Sequence, residues 1–338
     1  MGIVEVRPCS VSTLVLEEPV TDPKADCPIA GPHGFSLVEL IKPRRDIACG
    51  SLCRMLPNDV ARAVSRYLSV ADRLLPGRIR GFYVVGSVAL GAWQAGGSDI
   101  DFVAAVEGDL GERDMGRLAL LHKIGNVPAA WQALVRARPA IPGTLNGVFV
   151  VENDLSKPVT HIRPVASHSG PSFKRGRGFE VNPVVWKVLL EKGVTVRGPA
   201  PDELGLDPEP GKLREWNLQQ LHGHFATWAG KALSGKPPRK PLLPAHRVAM
   251  STMLSPPRLH HTVVTGEVIS KEAAAEYALD TFEARWHPLI RLALARRLGL
   301  PAPVGADAFL TDSRRLPGLV GEFILDVIAS ADRYCEDV

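Results

Sequence analysis

Gly81-Phe82-Tyr83-Val84-Val85-Gly86-Ser87-Val88-Ala89-Leu90-Gly91-Ala92-Trp93-Gln94-Ala95-Gly96-Gly97-Ser98-Asp99-Ile100-Asp101-Phe102-Val103-Ala104-Ala105-Val106 is the stretch whose reading decides the fold. The apolar run from Phe82 to Val85 reads as a β-strand. Gly86-Ser87 breaks it and begins a turn. Ala89, Leu90, Ala92 and Trp93 suit a short helix, which Gly96-Gly97 ends. Ser98 then leads into a second β run that carries Asp99 and Asp101.

Side chains of a strand alternate in direction, so Asp99 and Asp101 point to one side and Ile100 to the other. Neighbouring carboxylates repel each other unless something neutralises them. A divalent cation does so, and Mg²⁺ commonly takes one or two carboxylates together with substrate phosphates. Gly86 allows a backbone to approach a phosphate, and a turn opening into a helix offers free N–H groups to an anion. Ser87 adds a hydroxyl donor. Strand, bend, helix and acid-bearing strand therefore read together as a cradle for a metal-bound nucleoside triphosphate. Taken alone, each piece is an ordinary turn or a solvated strand end; the order in which they follow one another carries the reading.

Gly86-Ser87 followed by Ser98-Asp99-Ile100-Asp101 resembles the signature of the nucleotidyltransferase superfamily, with its polymerase-β-like fold. Two later segments narrow the resemblance. Val263 to Tyr277 is similar to the C-terminal helical domain of the streptomycin/spectinomycin adenylyltransferases. Val194-Thr195-Val196-Arg197-Gly198-Pro199 is similar to the segment that closes their first domain. The likeness runs from about Met55 to Leu298. It implies an α+β fold: a small mixed β-sheet nucleotidyltransferase domain with flanking helices, residues 55–198, followed by an all-α helical-bundle domain, residues 199–338. It also implies Mg²⁺ as cofactor, ATP as co-substrate, and a small-molecule hydroxyl acceptor of aminoglycoside type, hence a part in antibiotic resistance. Asp99 and Asp101 then take the metal and the chemistry. Gly86, Ser87, Ser98, Arg258 and Lys271 take the nucleotide, with Lys271 matching a lysine on the ATP phosphates and Arg258 an arginine near the nucleotide.

The sequence departs from the family pattern in two places. The third strand of this fold usually carries a third acid, which resembles a general base for the acceptor hydroxyl. In the β run Asn146 to Val151, Asn146 stands at the matching position. An amide cannot accept that proton, and a positioned base is worth about 10²–10⁴-fold in rate. Glu152 and Asp154 just past the strand, and Glu180 on a later loop, are possible stand-ins, each also readable as an exposed loop acid. Glu152 is therefore set beside Asp99 and Asp101 as a catalytic candidate, and Asn146 and Glu180 as substrate-side candidates. The second departure is Pro256-Pro257, which should kink or split a helix running from Ala245 to Thr265.

With 338 residues the chain has room for two domains of ordinary size. A hydrophobic share of 45% with 22% charged residues fits a globular protein, and a net charge of +4 suits an ATP site without arguing for nucleic acid. No apolar run is long enough to span a bilayer, and no signal peptide opens the chain, which points to the cytoplasm. The cysteines are Cys9, Cys27, Cys49, Cys53 and Cys335. Their odd number and irregular spacing read as reduced thiols; a zinc site built from Cys27, His33, Cys49 and Cys53 is the alternative. Residues 1–54 lack periodicity and read as a poorly ordered extension, with Met55 as the expected start of translation.

The remaining chain reads as helices and loops. A helix capped by Asn58 carries apolar residues to Leu75, and another runs from Glu112 to Ala137, interrupted near Gly125 and Pro128. Thr160 to Glu180, rich in His, Ser and basic residues, is either a loop beside the site or a solvated connection. Asn182-Pro183 opens a helix whose Trp186 reads as core. Gly198 to Gly211 marks the domain boundary. A helix covers Leu213 to Leu233, Ser234 to Pro244 is a stiff basic loop, Ser270 caps a helix reaching Leu298, and a last helix runs from about Asp312 to Tyr334. His260 and His261 diverge on their helix, so they read as core or surface histidines and not as a shared metal site. Transfer to a protein or tRNA, and nucleotide binding without turnover, are the competing functions.

Overall fold

The two β runs of the organising stretch lie side by side. In the computed structural model, which describes residues 56–126, 144–170, 172–237, 244–304 and 314–336, β1 (Ile79–Val84) pairs antiparallel with β2 (Ile100–Val106). β2 pairs in parallel with β3 (Leu145–Val151), in a register that sets Asp101 opposite Asn146 and Val106 opposite Val151. A parallel pair needs a crossover, and α3 (Glu112–Gly125) lies between the two strands in the chain. β4 (Ala166–Ser169) and β5 (Ser172–Arg175) extend one edge, and β6 (Val194–Arg197) the other. The described sheet has the order β5-β4-β3-β2-β1-β6.

One face of the sheet is aromatic. Phe82 and Phe102 stack with centroids 4.7 Å apart, and Phe149 and Tyr67 approach Phe102 at 5.4 and 5.7 Å. Tyr67 comes from α1 (Asn58–Leu74), which packs on α3 across this face. The opposite face carries Tyr83, Val103, Ala105, Val148 and Val150 against Trp186 and Leu189 of α4 (Pro183–Lys192). Arg197 on β6 clamps Asp72 of α1 with two hydrogen bonds of 2.7 and 2.8 Å, a bidentate geometry that fixes the edge strand.

Beyond β6 the described elements are helical. α5 (Pro210–Gln220) passes through a π turn at Leu221–Phe225 into α6 (Ala226–Leu233). Then come α7 (Ala245–Thr252), α8 (Ser255–Thr265), α9 (Lys271–Thr281), α10 (His287–Leu298) and α11 (Leu316–Glu336). Phe225, Trp228, Met253, Phe282, Ile290, Phe323 and Ile324 share their core. His260 on α8 sits within it, 2.7 Å from the Tyr277 hydroxyl of α9 and 3.0 Å from the Ser330 hydroxyl of α11. It is the core histidine the sequence suggests, and burial pushes its pKa down to about 4. The architecture is the expected α+β arrangement, a mixed sheet with flanking helices followed by a helical region.

Several local expectations are corrected. The helix of the organising stretch, α2, is a single turn at Gly86–Ala89; Trp93 lies beyond it and donates to Asp59. Asn58 is the first residue of α1 and caps nothing, the cap position being Pro57. Thr160 to Glu180 contains the β4–β5 hairpin, whose polar, basic residues hide an edge pair. The proline pair does split its helix: α7 ends at Thr252, and Pro256-Pro257 sit in the first turn of α8, where proline costs no hydrogen bond. The helix capped by Ser270 stops at Thr281, and a 3₁₀ turn at Ala284–Trp286 separates it from α10. The N-terminal extension with its cysteines, His33 and Met55, the helix beyond residue 126 and the middle of the basic loop lie outside the described residues.

Phe102 touches aromatic neighbours on three sides of a fully buried site. Phe102→Ala should cost about 3–5 kcal/mol, read as a lowered denaturant midpoint with an unchanged slope. A loss under about 1 kcal/mol would mean that the aromatic face is not the centre of this core.

Candidate active site

A cavity of about 750 Å³ is lined from the sheet side by the Gly86 bend, Asp99, Asp101 and Glu180, and from the helical side by Trp216, Arg258, Lys271, Glu272 and Arg297. Its size falls in the range usual for small-molecule sites. Gly86 holds φ at +62°, a left-handed conformation natural to glycine. A Cβ there would collide with the Asp101 carboxylate, so the bend and the second aspartate are built against each other. The Ser87 Oγ is buried beside them without a hydrogen-bond partner. An orphaned hydroxyl facing a polar cavity is a ready donor or acceptor for a ligand.

The two aspartates differ. Asp101 is the second residue of β2 and faces the same side as Val103 and Ala105. Asp99 precedes the strand, is exposed, and accepts a 2.9 Å hydrogen bond from the Thr144 hydroxyl. Both line the cavity. Burial, then the charges of Asp99 and Glu180, push the Asp101 carboxyl up to about 7, while Lys271 and Arg258 pull the other way. Burial likewise raises Glu180. Arg258 is lowered by burial, with the Asp101 charge opposing that shift, and its Nε donates to the Ile269 carbonyl at 2.9 Å. Lys271 opens α9 just after Ser270, whose Oγ accepts from the Ala273 N–H at 3.1 Å. Ser98 is 5% exposed and its Oγ takes bonds from the Gln94 N–H and from Arg297, so it closes the turn ahead of the aspartates.

The cavity thus gathers Gly86, Ser87, Ser98, Asp99, Asp101, Glu180, Arg258 and Lys271. Glu152 stands apart. It follows the last residue of β3, at the opposite end of the strand from Asn146 and so roughly 20 Å from Asp101 at ordinary strand rise. It is exposed and outside the cavity lining; Asp154, half-buried and paired with Lys157, is outside the lining too. Asn146 is beside Asp101 on the neighbouring strand, but its Oδ1 accepts from the Gly170 N–H at 2.8 Å and so fastens the β4–β5 turn.

Four lining residues have no sequence signal that singles them out. Glu272 and Arg297 form a 2.6 Å ion pair, and Arg297 reaches on to Ser98 at 3.4 Å, tying α9 and α10 to the loop before Asp99. Their separation in sequence hides this pairing. Phe179, 69% exposed, sits 5.7 Å from the Trp216 ring. Trp216 reads from the sequence as one apolar position of a helix, and the pairing depends on how α5 docks. Among the described residues no three His, Cys, Asp or Glu side chains converge as they would to hold a metal by themselves. An aspartate pair completed by phosphate oxygens is nonetheless a donor set that suits Mg²⁺.

The folded protein holds a proton on Asp101 up to about pH 7, whereas an ordinary aspartate releases it near 3.8. The resulting stabilisation is full below the lower value and is lost as pH rises through the upper one. In metal-free buffer, the thermal midpoint of the wild type relative to Asp101→Asn should fall as pH rises from ~5 to ~7.5. Parallel curves for the two proteins would contradict this.

Residues 245–308 match the family described as aminoglycoside adenylyltransferase, C-terminal domain. No curated protein matches the chain. Among solved structures, the spectinomycin adenyltransferase AAD(9) from Enterococcus faecialis, determined with ATP and spectinomycin, is similar with a TM-score of 0.55 at 13% identity, over 80% of this chain and 98% of that one. No helix among the described residues is long and apolar enough to cross a membrane. In its fold, and in the sequence of residues 245–308, the chain resembles the aminoglycoside adenylyltransferases.

Proposed function

We propose that this protein is an Mg²⁺-dependent nucleotidyltransferase that moves AMP from ATP to a hydroxyl of a small molecule of aminoglycoside type. The observation that carries the reading is one cavity in which the Gly86-Ser87 bend and the Asp99–Asp101 pair face Arg258 and Lys271. The family match over residues 245–308, which includes Arg258 and Lys271, supports it. Asp99 and Asp101 would hold the metal, which when bound neutralises the triphosphate. Gly86, Ser87 and Lys271 would seat its β- and γ-phosphates, and Arg258 would add positive charge beside Asp101. Ser98 would keep the loop before Asp99 in place. Catalysis of this type is chiefly positioning and charge stabilisation, which these residues are suited to provide.

The acceptor's side of the cavity suits a cationic ring compound. Glu180 supplies negative charge, and Phe179 with Trp216 supplies an aromatic wall on which a ring or an ammonium can rest. Such a protein works in the cytoplasm, where ATP is available, and its product would be an inactivated antibiotic. Residues 55–198 and 199–338 act as the two domains between which both substrates lie.

The test is incubation with α-labelled ATP, Mg²⁺ and a panel of aminoglycosides. Label should move to a small molecule with release of pyrophosphate, and Asp99→Ala should abolish transfer. Lys271→Ala should raise the KM for ATP by about tenfold or more, the worth of one charge-assisted contact to phosphate. Label on protein or RNA would point to a macromolecular acceptor, and ATP binding without pyrophosphate release would exclude turnover.

A further inference from the structure

With asparagine at position 146, the hydroxyl that attacks the α-phosphorus lacks a proton acceptor on β3. The fold removes two of the stand-ins, because Glu152 and Asp154 lie at the far end of that strand. Two carboxylates remain in the cavity beside the aspartate pair, Glu180 and Glu272. Glu272 is engaged by the Arg297 guanidinium at 2.6 Å, with both side chains under 20% exposed. That carboxylate is committed to tying α9 to α10.

Glu180 has different surroundings. Its carboxylate accepts from its own backbone N–H, and, unlike Glu272, whose Oε2 is likewise buried without a hydrogen-bond partner, it forms no ion pair among the described residues. The Asp101 charge feels it directly. The segment that carries it is held at both ends. The Val181 N–H donates to the Gly178 carbonyl at 3.3 Å, the Asn182 Nδ2 donates to the Phe179 carbonyl at 2.7 Å, and the Asn182 Oδ1 caps α4 through the Val185 N–H at 3.0 Å. Gly178 lies against Val148 on β3 so closely that a Cβ would come within 2.6 Å of that side chain and 3.5 Å of the Glu180 Oε2. Glu180 is thereby set over the strand next to Asp101, on the face that Asp101 shares. Phe179, the residue before it, forms the aromatic wall with Trp216.

We infer that Glu180 is the catalytic base of this site, supplied by the loop before α4 in place of an acid on β3. The inference rests on the nucleotide-transfer reading above. In the step, the acceptor oxygen forms its bond to the α-phosphorus while the bond from that phosphorus to the bridging oxygen breaks. The hydroxyl proton passes to the Glu180 carboxylate, and pyrophosphate leaves with the electron pair. Among the described residues Asp99, Asp101 and Glu180 do not converge as a three-carboxylate metal site would, and the experiment below separates a base from a metal ligand.

The experiment compares wild type, Glu180→Gln, Glu272→Gln and the double variant Glu180→Gln/Asn146→Glu. Each is assayed for AMP transfer to an accepted aminoglycoside and for binding of the non-transferable analogue α,β-methylene ATP with Mg²⁺ by calorimetry, after confirmation of an unchanged thermal midpoint. Glu180→Gln should lower turnover by about 10²–10⁴-fold while KM for ATP and analogue affinity stay within about twofold. Asn146→Glu, which restores an acid beside Asp101, should recover part of that loss. Full turnover in Glu180→Gln, or loss of turnover in Glu272→Gln in its place, overturns the assignment. So does a fall in analogue affinity that matches the fall in rate, which would make Glu180 a metal or phosphate contact. Absence of transfer by the wild type, with no difference from Asp99→Ala, is a separate result that removes the nucleotide-transfer reading itself.

Discussion

The site depends on a crowding of negative charge that the protein only half relieves. Asp101, Asp99 and Glu180 face one cavity on the sheet side, and their repulsion, added to burial, makes Asp101 reluctant to ionise. Opposing charge arrives from residues far along the chain, Arg258 and Lys271 on successive helices of the other half. Neither half is electrostatically complete without its counterpart. Under the proposed function, a triphosphate with its metal would offer positive charge to the acids and negative charge to the bases. The absence of a side chain at Gly86 is the steric side of the same constraint, since it lets the bend press against the Asp101 carboxylate.

The floor of the cavity rests on apolar packing. Phe82 stacks on Phe102 and Phe149 meets it edge-on, which fixes β2, the strand that opens at the aspartates. Trp186 and Leu189 of α4 cover the opposite face, and the cap of α4 is the Asn182 that holds the Glu180 segment. Packing and chemistry therefore meet at a single residue there. On the helical side the π turn at Leu221–Phe225 interrupts α5 and α6 beside the cavity, where His224 and Phe225 reach its lining. Such turns are frequent where a helix wall must be reshaped for a ligand.

The parts of this arrangement that were legible in the sequence are those whose meaning is local. Gly86-Ser87 and Ser98-Asp99-Ile100-Asp101 lie within one supersecondary unit, so period and turn chemistry suffice to bring them together. Arg258 and Lys271 followed from likeness to a family and not from spacing. Glu152 shows the limit of reading by proximity in sequence: a residue just past a strand end is near that end, and the parallel register of β2 and β3 puts the wrong end there. Glu180 was recognisable only as one loop acid among several, and the hairpin before it was hidden by polar composition. Arg297, Glu272, Phe179 and Trp216 owe their positions to how helices dock, a long-range property that no local pattern encodes.

His260 gives the helical half a common hub. Its two ring nitrogens reach α9 and α11, and it lies one helix position pair beyond Arg258 on α8. The helix bearing the arginine, the helix bearing the lysine and the last described helix of the chain are thus keyed to one imidazole. The distance between the two cations is in that sense calibrated from the far terminus. Under the proposed function, a change around residue 330 would reach the helices of Arg258 and Lys271 through this imidazole and so act on nucleotide binding.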